Sequence, residues 1–476
     1  VSRGSKVLKT TSIYFIGNFA SKLLTFFLLP LYTTYLTSKE FGQIDLLVST
    51  VPLIAPIFTI QVTETVFRFL CSDKKIEEKK RSITTSWVIF LFGIVVFILL
   101  YIPFILNFKL SYAVLFFIYF VITYIGIFMQ QVLRGLQRTA EYAITGVIAT
   151  LVQVTLNVLL IVKFGIGGES LLISAIGASF IIALIIAFRI KFWKLIDFKL
   201  VSKNEIKLQL KYGIPLIPNQ ICWWIIGLMG KYILLYFHGS SENGVLAVAT
   251  KFPGLITTIS SIFFLAWTEN VIREFESEDR NEYFIKGFEL FIKFNFTAAA
   301  CLLPLIKIYN TTTISGEFTN SWKYIPIFIV GALFNSLATF LGTIYTASMK
   351  TKDAFTTTLV SGITNLILSL LMIPFMSIWG VALANTLSFV MLFLVRIKSI
   401  NKIINFKFKL RKSITSVLLF VVSLTVYYYL GTLLQSILFI ILVICTLLIN
   451  REIIIEIFSS IGIMKRKYKV KKRSEA

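Results

Sequence analysis

A chain of 476 residues that is 57% hydrophobic and only 15% charged is too apolar for a soluble globular protein. Its formal charge of +24 would suit nucleic acid, but the lysines and arginines fall in short segments between long apolar runs, which excludes that partner. One histidine and four cysteines, without metal-ligand or CxxC spacing, leave no basis for a metal cofactor or for histidine-based catalysis.

Apolar runs of eighteen residues and more recur from end to end, too long and too continuous for barrel strands. The fold class expected is therefore an all-α polytopic membrane protein. About fourteen spans are predicted, at roughly 10–36, 43–70, 83–106, 110–133, 142–163, 170–190, 214–237, 244–269, 285–309, 324–347, 355–376, 378–398, 413–431 and 434–450. The first apolar run is too long for a cleavable signal and has no small-residue cleavage site after it.

Charge sets the expected orientation. With both ends in the cytoplasm, the inner segments hold 37 Lys and Arg and the outer ones about four, Lys39, Lys109, Lys163 and Lys323. The basic tail, MKRKYKVKKR, is expected to lie against anionic lipid headgroups.

Two stretches repeat. Residues 141–168 align without a gap to 353–380, and an earlier pair of segments equates Gly42 with Gly244 and Pro52 with Pro253. Two parallel six-helix bundles with two added helices follow. The expected divisions are 1–190 (first bundle), 191–213 (cytoplasmic linker), 214–398 (second bundle), 399–412 (linker), 413–450 (helices 13 and 14) and 451–476 (basic tail).

Six cations fall inside spans: Lys22, Arg68, Lys231, Lys251, Lys293 and Lys307. A lysine at mid-membrane costs roughly 2.5–3.5 kcal/mol on insertion scales, so its retention asks for a reason. Lys307 lies near a span end, where it is expected to snorkel. In span 1, Asn18, Lys22 and Thr25 form one polar stripe. In span 2, Gln61, Glu64 and Arg68 do the same, with Glu64–Arg68 spaced i,i+4; Glu289 and Lys293 repeat that spacing in span 9. Lys22 and Lys231 have no acid within a helical turn, and Lys251 precedes Pro253 by two residues. Lys22, Arg68, Lys231 and Lys251 come from spans 1, 2, 7 and 8, which the repeat makes equivalent, and are assigned to one cationic cavity suited to a phosphate. Asn18, Gln61, Glu64, Glu289 and Lys293 are second-rank residues for lining it or for coupling transport to a proton or sodium ion.

The opening KVLKTTSIYFIGNFASKLLTFFLLPLYTTYLTSKEFGQIDLLVS, with TETVFRF after it, resembles the Wzx-type polysaccharide flippases of the multidrug/oligosaccharidyl-lipid/polysaccharide exporter superfamily. Pro30-Leu31-Tyr32, Glu40-Phe41-Gly42, Arg68-Phe69 and Arg134-Gly135 through Tyr142 carry the likeness. It implies alternating-access transfer of an undecaprenyl-pyrophosphate-linked oligosaccharide across the cytoplasmic membrane, with polysaccharide polymerase machinery as a partner. The resemblance leaves the cavity residues to the reading above.

A flippase for teichoic acid or a peptidoglycan lipid precursor would have a similar sequence. A cation-coupled multidrug exporter is disfavoured because span 1 carries Lys22 where that family commonly has an acid. An enzyme lacks a catalytic constellation: Glu317 stands nearly alone on the longest outer segment, and the acids of REFESEDRNE form a solvated run.

Overall fold

The computed structural model describes residues 26–70, 75–107, 112–348, 350–406 and 410–449, which contain helices and no strand. Asn18, Lys22 and the basic tail lie outside the described residues. In chain order come α1 (Leu29–Tyr35), α2 (Ser38–Phe58), α3 (Val62–Leu70), α4 (Ile76–Asn107), α5 (Ala113–Gly135), α6 (Thr139–Val158), α7 (Glu169–Ile190), α8 (Lys203–Gly213), α9 (Leu216–His238) and α10 (Ser240–Ala249). Then follow α11 (Pro253–Glu274), α12 (Arg280–Thr313), α13 (Ile325–Ala347), α14 (Thr351–Ile400), α15 (Ile414–Tyr429) and α16 (Thr432–Ile449).

Among the described residues nine helices are long and apolar enough to cross a membrane. The difference from the predicted number has local causes. Span 1 falls mostly outside the described residues, and the last two spans form short helices. Predicted spans 11 and 12 run on as α14, yet Ser377, with φ 48° and ψ −126°, divides it where the sequence places the boundary.

Two predicted spans are broken. The stretch 43–70 starts as α2 under a capping box in which Thr37 Oγ1 accepts from the Glu40 amide and the Glu40 carboxylate accepts from the Thr37 amide. Pro52 and Pro56 then remove two ladder donors, and the helix ends at Phe58. Ile60 and Gln61 take positive φ, 50° and 54°, which a β-branched residue adopts only when its surroundings impose it. Glycines seat the break: a Cβ on Gly93 would collide with the Phe58 carbonyl oxygen, and one on Gly213 with that of Ile60. The predicted span 244–269 stops at Ala249 and restarts at Pro253, which needs no amide donor in the first turn of α11. Lys251 lies on that break.

Contacts divide the chain into two compact units, Val1–Arg280 with Ile314–Phe406, and Asn281–Thr313 with Lys407–Ala476. In the first, Phe90 of α4 stacks on Trp87 and on Phe128 of α5, and Phe97 lies 4.4 Å from Phe120, ring centre to ring centre. The segment expected as a linker contains α8, whose buried Gln209 accepts from the Ser86 hydroxyl and donates to the Ser82 carbonyl. In the second unit, α15 lies along α12: Thr297 bonds Ser416 at 3.0 Å and the Ser423 hydroxyl donates to the Ala300 carbonyl at 2.8 Å. Lys307, expected at a span end with its head in water, is instead buried, its ammonium 5.1 Å from the Tyr427 ring centre.

Within the first unit α2 crosses α10 at backbone contact. A Cβ on Gly42 would run into the Ser240 carbonyl oxygen, and one on Gly244 into that of Ser38. These are the two glycines that the internal repeat equates. Backbone cannot yield as a side-chain tip does, so Gly244→Ala should cost about 1–3 kcal/mol as an overpacking change and lower the apparent melting midpoint in detergent. Gly227→Ala is the control: its Cβ meets nothing within 4 Å, and the midpoint should hold or rise.

Candidate functional site

Four residues of α2, Ser38, Gly42, Asp45 and Ser49, recur at helical spacing and form one stripe. Each meets the second half of the chain. Ser38 donates its amide (3.0 Å) and its hydroxyl to Glu317, on the 3-10 turn Gly316–Lys323. Those two hydrogen bonds hold the Glu317 carboxyl below its ordinary range, so the acceptor keeps its charge to lower pH than a free glutamate. Gly42 makes the close approach to α10. Ser49 accepts from the Trp224 indole at its carbonyl (2.8 Å) and from Lys231 at its hydroxyl (3.0 Å). Beside the stripe, Thr50 bonds the Tyr232 hydroxyl at 2.6 Å.

Asp45 is the chemical centre. One carboxylate oxygen pairs with Lys231 of α9, 186 positions away in sequence, and the other lies 3.4 Å from the Lys251 ammonium. Asp45 and Lys231 are both buried, with side chains 9% exposed, whereas the Lys251 side chain is 46% exposed. The Asn243 amide group donates to the Lys231 carbonyl at 2.9 Å, tying α10 to α9 beneath the pair. Two cations against one anion leave the group with a formal +1, carried on its accessible side by Lys251.

That side opens into a cavity of about 330 Å³, at the small end for ligand sites. Phe26, Leu29, Tyr32, Phe41, Ile44 and Val48 form one wall, and Tyr119, Gln153, Leu171 and Ala175 another. Gly254, Leu255 and Thr258 of α11 complete it. Among these lining groups the charges are Asp45 and Lys251. An apolar, aromatic chamber with a cation at one end can hold an anionic group next to hydrocarbon or a sugar face.

Two of the predicted cavity cations, Lys231 and Lys251, are brought together here. The expectation that the unpaired membrane charges are cations needs correcting, because Asp45 partners both lysines. Arg68 and Glu64 are exposed on α3, and neither lines this cavity; among the described residues no ion pair joins them. The break at Ile60–Gln61 ends the single helix that would have carried their stripe on, and Gln61 is buried in it. Glu289 is buried and Lys293 half-buried on α12, in the other compact unit. Helical spacing does not point to Asp45, because it lies on a different helix from Lys231 and far in sequence from Lys251. Its signal is an aspartate inside an apolar span, three residues after a repeat-matched glycine.

Another buried cation, Arg396 of α14, is held by neutral acceptors. It donates to the Ala338 carbonyl and to the hydroxyls of Thr357 and Thr358, and Gly342 leaves it room.

A model of the polysaccharide biosynthesis protein family matches residues 7–272, and one of the lipid II flippase MurJ matches residues 308–448. An uncharacterized membrane protein of Methanocaldococcus jannaschii is 23% identical over 419 residues, 82% of this chain and 97% of that protein. Among solved structures, lipid II flippase MurJ in an inward closed conformation superposes with a TM-score of 0.70 at 18% identity, over 93% of this chain and 99% of that one. An inward-facing multidrug resistance MATE family transporter of the MOP superfamily gives 0.62 at 14% identity, over 82% and 95%. The first match spans more than half of the chain: this protein belongs to the polysaccharide biosynthesis protein family, built on the all-helical fold of the MurJ and MATE transporters.

Proposed function

We propose that this protein is a flippase that carries an undecaprenyl-pyrophosphate-linked oligosaccharide from the inner to the outer leaflet of the cytoplasmic membrane, by alternating access and without a catalytic step. The observation that carries the reading is the half-exposed Lys251 at the end of an aromatic cavity, in a chain of the polysaccharide biosynthesis family. An ammonium is a good point-charge partner for a phosphate oxygen, and Tyr32, Phe41 and Tyr119 offer faces to a sugar. At this size the chamber receives the phosphates and the first sugar, while the lipid tail stays in the bilayer. Lys22, from the span before α2, is proposed as a further cation for the same headgroup.

The cavity also bears on the drug-exporter alternative. A site for cationic drugs needs an acid presented to the ligand, whereas Asp45 is engaged by two lysines and the group as a whole is positive. The repeat architecture, the cytoplasmic termini and the basic tail on anionic lipid belong to the same proposal.

In vesicles reconstituted with the protein, a lipid-linked oligosaccharide should be transferred and a lipid-free cationic dye should not; transfer of the dye alone removes the flippase reading. Lys251→Ala should slow transfer roughly 10- to 100-fold, the equivalent of one charge-assisted contact, and Lys251→Arg should restore most of it. Lys22→Ala should abolish surface-polysaccharide export while the protein remains in the membrane. Coupling to a proton through Glu64 or Glu289 is proposed as well: collapsing the proton gradient should stop export, and export that continues discards it.

A further inference from the structure

Asp45 sits where a flippase for a phosphate would be expected to leave its lysines free. Its carboxylate spans both ammonium groups and comes from α2, in the first half of the chain, while both lysines come from the second. The two contacts are unequal. Lys231 is buried, and it also donates to the Ser49 hydroxyl on α2, so it has two anchors on that helix. Lys251 stands on the break between α10 and α11, lies 3.4 Å from Asp45, is half-exposed and lines the cavity. Its only ion-pair partner among the described residues is that carboxylate.

We infer that Asp45 is an internal stand-in for the cargo phosphate: it occupies Lys251 while the cavity is empty and gives the lysine up when an anionic headgroup arrives. The inference rests on the flippase reading for the identity of the cargo, but its physical content concerns anions alone. A phosphate that takes Lys251 leaves Asp45 with Lys231 as its sole cation. It also places a negative charge a few ångströms from the carboxylate. Both changes weaken the hold of α2 on α9 and α10, which otherwise rests on the Gly42–Gly244 crossing, the Asp45–Lys231 pair and the contacts of Ser49 and Thr50 with Trp224, Lys231 and Tyr232. Arrival of cargo is thereby linked to loosening of the crossing between the two halves. Asp45 is a positioning residue in this scheme and Lys251 the group that selects an anion.

The competition has a consequence that a purely structural carboxylate would not have. Removing the negative charge should tighten anion binding, because Lys251 is released, while transport should fall, because the empty and loaded states no longer differ. The probe is inorganic pyrophosphate, titrated against the full chain in detergent and followed by the rise in melting midpoint and by calorimetry. Asp45→Asn should bind it roughly 10- to 100-fold more tightly than the unaltered protein, the ratio expected when one charge-assisted contact stops competing. Adding Lys251→Ala to that variant should remove the gain. Because Asp45→Asn strands Lys231 in an apolar setting, Asp45→Asn with Lys231→Met is the companion variant, and it should also exceed the unaltered protein in affinity.

Equal or weaker binding by a folded variant that lacks the Asp45 charge overturns the inference, as does the absence of pyrophosphate binding by every variant. Oligosaccharide transfer by the unaltered protein is measured separately. A protein that fails to transfer the lipid-linked oligosaccharide but shows the affinity gain keeps the competition and loses the cargo assignment. One that transfers cargo without the gain keeps the flippase reading and loses the stand-in.

Discussion

A carboxylate between two ammonium groups, enclosed by apolar helices, is the interaction on which the rest of the first unit depends. Neither Asp45 nor Lys231 is tolerable alone in that setting: stripping water from one ion costs several kcal/mol, and removing one partner of a buried pair typically costs about 3–5 kcal/mol. The pair therefore requires α2 to lie against α9, close enough for direct contact. Gly42 and Gly244 let α2 also meet α10, the helix that follows α9, backbone to backbone. Ser38 with Glu317 holds the same face of α2 one turn before Gly42, and Ser49 with Trp224 and Lys231 holds it one turn after Asp45. Close crossing, charge pair and cavity wall are thus successive consequences of one helical stripe.

Broken helices do the positioning. At membrane depth an interrupted helix is tolerated only where the freed backbone groups are satisfied inside the protein. After Phe58, Thr59 returns its amide and hydroxyl to the Ala55 carbonyl. Before Pro253, the Thr250 amide and hydroxyl both donate to the Leu246 carbonyl. At Ser377 the hydroxyl donates to Glu242, on the first turn of α10. The break at residues 250–252 matters most to the site, because it takes Lys251 out of a regular ladder and sets it at the edge of the chamber. A continuous helix through Lys251 would have fixed its direction by the 3.6-residue period instead.

Much of this could be read from the chain itself. Long apolar runs announce helices, and the prolines announce where they weaken, so element type and the boundary at Ser377 were legible. The break at Ile60–Gln61 was not, because it is held open by Gly93 and Gly213, on segments far away in sequence. Lys231 and Lys251 were recognisable as misplaced charges, since a cation in an apolar run is conspicuous from composition alone. Their partner was not recognisable by the same test. A search within one helical turn finds local pairs such as Glu64–Arg68, and those two side chains stand exposed on α3, away from the cavity. The pair that organises the site joins positions 186 residues apart, and only tertiary packing can bring them together. The repeat came closest to revealing it: Gly42 and Gly244, which it equates, mark the close crossing of α2 and α10.

The two halves contribute unlike charges to the site, and this bears on what kind of transporter the fold can support. Had both signs come from one half, the charge balance of the cavity would be unaffected by any movement between them. Here the anion belongs to the first half and both cations to the second. Separating the halves turns a group of net +1 into an isolated carboxylate on one side and two lysines on the other. The cost of that separation falls when a second anion covers the lysines. A site divided in this way ties the resting arrangement of the helices to the absence of a negatively charged ligand. It needs no longer-range signal to do so, because the helix crossing and the ligand-facing charge are properties of the same three side chains.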